Sequence, residues 1–206
     1  MAFLQRLDFS IRRESVFGLV SVLLIPFLYL GFVEHFFYEN SYVENFQLVI
    51  LLTGVVVSFK LKGSRDGELF MFAFMLFLIL FLREVNCFRV LFPVEGRPRS
   101  FMRWEQIIPH YGFLIPLTYK IFVACAVCYL AFGKAGKIVV EYGKRARIPV
   151  VETVLAGIGA VAATVAEGVF HNEPLEELFE TLFYIEFVVI VWIYGFNKQF
   201  ALKDCV

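Results

Sequence analysis

Apolar runs dominate the chain, and each is about as long as a bilayer is thick. A membrane-crossing helix needs roughly 20 predominantly apolar residues. Six stretches approach that length: 16–38, 44–61, 68–92, 112–132, 149–171 and 175–196. Between them lie short polar breaks. Lys60, Lys62 and Gly63 close the second run, and Pro93, Gly96, Pro98, Trp104 and His110 mark a polar segment, 93–111, with the look of a re-entrant piece at an interface. A basic stretch, 133–148, reads as a loop, and Asn172-Glu173-Pro174 reads as the turn between the last two runs. The first run is too long for the apolar region of a signal peptide and has no small-residue cleavage site after it. It is expected to stay as a helix.

Ahead of it, Phe3, Leu7 and Ile11 recur every four residues while Arg6, Arg12 and Arg13 fall elsewhere. That spacing predicts a short amphipathic helix over 1–15 lying on a membrane surface, with Ser15 as N-cap of the first span. The fifth run is dense in Gly157, Gly159, Ala160, Ala162 and Ala163. Small residues let neighbouring helices approach closely, so this helix should be central. The expected fold is all-α: a polytopic six-helix transmembrane bundle over 16–196, followed by a tail, 197–206.

Composition supports the same class. Hydrophobic residues make up 60% of the 206, against roughly 45–50% in soluble domains. Only helices or closed barrels satisfy the backbone inside lipid. The formal net charge of +0 conceals a sorting by side. With six spans, the basic residues of 1–15, 60–65, 134–147 and 198–203 share one side. The other side receives Arg83, Arg89, Arg97, Arg99 and Arg103. Basic residues accumulate on the cytoplasmic side, so both termini are expected there, in a plasma membrane or bacterial inner membrane. Cys87, Cys125, Cys128 and Cys205 do not form a secreted disulfide framework. Membrane lipids are the expected partners, with a second copy of the chain or another membrane subunit beside them, and nucleic acid is not.

The candidate chemistry lies in polar groups set in apolar surroundings. Lys120 and Glu186 each sit about 12 Å from the outer end of their helix, at 1.5 Å per residue, and opposite charges at matched depth suggest a pair. Snorkelling of the lysine and a protonated glutamate bonded locally are the plainer accounts. Arg83 and Glu84 are adjacent, so they diverge by about 100° around a helix and each needs a partner on another helix. Glu167 and His171 share a face of the fifth run; Glu173, Glu176, Glu180 and Tyr184 share one on the sixth. Acids in the first turn after Pro174 also simply complement the helix dipole.

These groups other than Glu173, with Arg89 and His110, are expected to form one polar site in a cavity on the outer side. No cofactor is predicted; the nearest approach to a metal set is Glu167, His171, Glu176 and Glu180. No His-x3-His, rhomboid-type Gly-x-Ser or paired aspartate pattern points to a known membrane enzyme. Three functions stay open. The first is a carrier or binding protein for a small polar or charged solute, switched by carboxylate protonation. The second is an enzyme acting on a lipid headgroup or lipid-linked substrate, and the third is a non-catalytic subunit or scaffold.

Overall fold

A computed structural model of the chain describes residues 3–13, 15, 16, 18–20, 23, 42–64, 66–92, 94, 101–197, 199 and 200, without the side chains of Phe3, Tyr42, Val90 and Glu173. Most of the expected first span and of the 93–100 stretch lies outside the described residues. The architecture is about 80% helical. Its long helices are α1 (Tyr42–Leu61), α2 (Gly67–Glu84), α4 (Leu114–Phe132), α5 (Lys134–Arg145), α6 (Val150–Val165) and α7 (Glu173–Phe196), with a single turn, α3 (Trp104–Ile107), between α2 and α4. Among the described residues, four segments are long and apolar enough to cross a membrane: Val43–Leu61, Leu114–Phe132, Val150–Phe170 and Pro174–Phe196. That is the signature of an integral membrane protein.

Helices α6 and α7 form an antiparallel hairpin with the most extensive contact among the described elements, and α1 packs on both α2 and α7. Asn172 caps α7 by accepting a hydrogen bond from the Leu175 N–H at 3.1 Å, and Pro174 occupies its first turn. The core forms where α1, α2 and α7 meet, around Leu51, Phe70, Phe77, Tyr184 and Val191. Gly159 of α6 rides against the backbone of α7. A Cβ there would stand 2.8 Å from the Phe183 nitrogen and 2.9 Å from the Phe179 oxygen.

Several expectations change. The third helix stops at Glu84 rather than Phe92. Asn86, Cys87 and Phe88 take φ values of 47°, 51° and 69°, a left-handed run that no α-helix can continue through. The basic stretch after α4 is not a loop but helix α5, which buries Ala135 and Tyr142 and exposes Lys134, Lys137, Lys144 and Arg145. The amphipathic helix expected at the start is replaced by a 3-10 turn, Phe3–Arg6, and a two-residue strand, β1 (Leu7–Asp8). Strand β1 pairs in parallel with β2 (Ile148–Pro149), Leu7 opposite Ile148. The fifth span loosens into a π-turn over Ala166–Phe170 before His171.

Two ends result. The N-terminus of α1 and the C-terminus of α2 lie with the start of α7 and carry Glu44, Glu84, Glu177 and Glu180. The opposite end carries α5 and the β1–β2 pair.

Candidate functional site

The acidic end is built from three helices. From α2, the last turn delivers Arg83 and Glu84. Adjacent positions diverge on a helix, and the two side chains accordingly find different neighbours on α7. The Arg83 guanidinium is hydrogen-bonded to Glu180 in a close ion pair, with Glu84 at 3.8 Å. The Tyr184 hydroxyl donates to Glu84 at 2.6 Å. From α1, the buried Gln47 donates its amide to the Glu177 carbonyl at 2.9 Å, the Glu177 carboxylate at 2.8 Å and the Thr181 hydroxyl at 3.0 Å. Glu44 is buried one turn away. Glu180 and Glu84 therefore share the Arg83 guanidinium, which is itself half exposed, and Glu177 and Glu44 lie beside those two acids.

That exposed half of Arg83 opens onto a cavity of about 430 Å³ between α2, the 3-10 stretch Asn86–Leu91, α3 and α4. Arg89, Arg103, Trp104, Glu105 and Tyr119 line it with Arg83. Arg89 is held in place by donating to the carbonyls of Met102, at 3.0 Å, and Phe101, at 3.2 Å. The Trp104 indole N–H is buried and has no hydrogen-bond acceptor among the described residues. Among the described residues, three guanidiniums and an unused indole N–H line the cavity with one carboxylate, Glu105, so this lining is rich in donors and poor in acceptors. Such a lining matches an anionic or acceptor-rich ligand, since guanidinium binds carboxylate and phosphate in bidentate fashion. Cys87 also lines the cavity. Partial burial pushes its thiol up, against the pull of Arg89.

Of the residues singled out from the sequence, Arg83, Glu84, Glu180 and Tyr184 come together, and Arg89 joins them through the cavity. Glu176 is half-buried, while its neighbour Glu177 takes the place in the cluster. Glu167 and His171 are exposed, in the π-turn and at the left-handed residue that ends it. His110 is exposed in a turn with φ 73°. Among the described residues, no group of three His, Cys, Asp or Glu side chains is arranged to hold a metal ion. Lys120 does not pair with Glu186. The lysine is exposed on α4, which packs against α2 and α5, whereas Glu186 is fully buried and its carboxylate has no hydrogen-bond partner among the described residues.

A second polar cluster, absent from the sequence reading, lies toward the opposite end. Arg12 binds Glu152 of α6 at 2.7 Å and Asp8 at 2.5 Å, and Ser15 donates to the same Glu152 oxygen at 2.8 Å. Phe200 lies flat beneath the Arg12 guanidinium, 4.9 Å from its ring centre. Burial pushes the Asp8 carboxyl up, but hydrogen bonds from Ser10 and the charge of Arg12 outweigh it, and the net shift is downward. The signal available was Glu152 itself, an acid one turn into an apolar run. Compared with protein-family models, curated proteins and solved structures, the chain matches none of them.

Proposed function

We propose that this is a membrane protein that binds, and by cycling between states carries, a small anionic or acceptor-rich solute at its non-cytoplasmic end, with uptake of a proton by the acidic cluster. One observation carries the reading: Arg83 belongs to the donor-rich cavity and to the buried carboxylate cluster at once. A solute anion that captures the guanidinium leaves Glu180 without its counter-charge. A buried carboxylate without a partner is expensive, and a proton is the smallest compensation. Solute and proton therefore enter together, and affinity falls as pH rises. The lysine and arginine distribution supports both termini lying in the cytoplasm.

The test is titration of the protein in lipid nanodiscs with inorganic phosphate and with acetate in weak buffer. Binding of either should take up about one proton per site by the charge balance above. Arg83→Gln should weaken it at least tenfold, and Lys120→Gln should leave it unchanged. No binding by the unaltered protein, or binding without proton uptake, would sink the proposal.

Two partner expectations belong with it. An apolar groove of about 360 Å³, lined by Phe70, Val139, Ile190 and Tyr194 among others, runs beside basic α5 and suits a lipid chain below an anionic headgroup. Helix α4 has only 6% of its most apolar stretch buried, so it is the face on which a second subunit would pack. That exposure is what favours the scaffold reading as the runner-up.

A further inference from the structure

Glu152 and Glu186 are each completely buried. They come from the two helices of the α6–α7 hairpin, whose register Gly159 fixes against Phe179 and Phe183, and Glu152 is the charged group that acts on Glu186. Three of their four carboxylate oxygens, Glu152 Oε2 and both of Glu186, have no hydrogen-bond donor among the described residues. Only Glu152 Oε1 is served, by Arg12 and Ser15. Among the described residues, Gly18 also borders the site: an added Cβ there would stand 2.6 Å from Glu186 Oε1. The ionisable groups at this place, among the described residues, are Asp8 and Arg12 from the N-terminal segment, Glu152 from α6 and Glu186 from α7. Helix α1, which also packs on α7, brings Glu44 to the far end of that helix and leaves Lys60 exposed. One arginine against three carboxylates leaves the group two positive charges short when all are ionised.

We infer that Glu152 and Glu186 form a buried proton-binding site, occupied by one proton held on Glu186 and directed at Glu152. The hydrogen-bond inventory selects this occupant. A protonated carboxyl is a donor, so a single proton on Glu186 turned toward Glu152 Oε2 serves two of the three orphaned atoms at once. A metal ion such as calcium or magnesium asks for six or more oxygens, and this place offers three free ones and the Ser15 hydroxyl. Arg12 is already shared by Asp8 and Glu152, so it cannot also neutralise Glu186. The site stands apart from the outer cavity and does not depend on what that cavity binds. Because Arg12 and Ser15 arrive on the N-terminal segment, the docking of that segment sets the charge on Glu152 and so governs how tightly the proton is held.

The test is infrared spectroscopy of the protein in lipid at neutral pH, with and without Glu186→Gln. The unaltered protein should show a protonated-carboxyl C=O band that Glu186→Gln removes. The glutamine keeps the shape and can still donate to Glu152, so the variant should fold. Ser15→Ala, which takes a donor from Glu152, should shift the frequency of that band and not abolish it. A band that persists in Glu186→Gln, or one indifferent to Ser15→Ala, overturns the assignment. So does a thermal stabilisation by sodium or calcium ions that disappears in Glu186→Gln, because the occupant would then be a metal ion.

Discussion

Glu84 shows how a buried acid in this bundle is served from a neighbouring helix. Its carboxylate accepts the Tyr184 hydroxyl at 2.6 Å, with both side chains buried. Tyr184→Phe removes the donor and leaves the acceptor in place. An unsatisfied buried group costs about 1–3 kcal/mol, and more when charged, so the variant should lose at least that much stability in thermal unfolding in detergent. Combining it with Glu84→Gln should recover part of the loss, because an amide in that position no longer leaves a charge unserved. A loss in Tyr184→Phe that Glu84→Gln fails to reduce would show that the hydroxyl matters only for packing. At this scale the sequence was informative about need and silent about partner. The 100° divergence of Arg83 and Glu84 demanded two interhelical neighbours, and Glu180 and Tyr184 meet that demand. Depth counting also matched Lys120 to Glu186, and there it misled, because depth along two helices carries no information about which way either side chain points around its axis.

At the scale of elements, small residues in 149–171 marked a helix meant for close packing, and Gly159 shows where the closeness lies. Its missing Cβ admits the α7 backbone, whereas Gly157 on the same helix has nothing within 4 Å of the equivalent position. The pair makes a controlled comparison. Gly159→Ala forces two backbones apart and should cost about 1–3 kcal/mol, as overpacking does. Gly157→Ala should be neutral or gain up to about 1 kcal/mol from helix propensity. Equal melting temperatures for the two variants would remove Gly159 from the hairpin contact. The element boundaries were legible where apolar period and capping residues agree, as at Asn172 and Pro174. They were not legible where they depend on backbone strain or on an amphipathic pattern hidden by charge. Nothing in Asn86-Cys87-Phe88 announces three left-handed residues in succession, a conformation uncommon outside glycine. In α5, the buried positions Ala135 and Tyr142 are spaced for a helix, but the basic side chains between Lys134 and Arg147 mask that pattern. The 3-10 turn and strand that replaced the first amphipathic helix reflect tertiary pairing with β2, which local periodicity cannot foresee.

For the molecule as a whole, the two clusters give the bundle a polarity that the zero net charge hides. One end concentrates carboxylates around Arg83, and the other presents α5 with Lys134, Lys137, Lys144 and Arg145 outward. An amphipathic helix with basic residues on its polar face suits the surface of an anionic leaflet, at about 1 kcal/mol per basic residue near it. The cytoplasmic leaflet is the anionic one, so both the helix and the positive-inside bias favour a cytoplasmic α5 end. Single cysteines introduced at Lys137 and at Gly168, in a background with Cys87, Cys125, Cys128 and Cys205 changed to serine, probe the two ends directly. Both positions are exposed, and neither belongs to the cavity or to either carboxylate cluster. In intact cells a membrane-impermeant maleimide should label Gly168→Cys, and Lys137→Cys should react only after the membrane is opened. The reverse pattern would put the acidic cluster in the cytoplasm. The solute would then be an intracellular one, and the proton would be drawn from the cytoplasmic side.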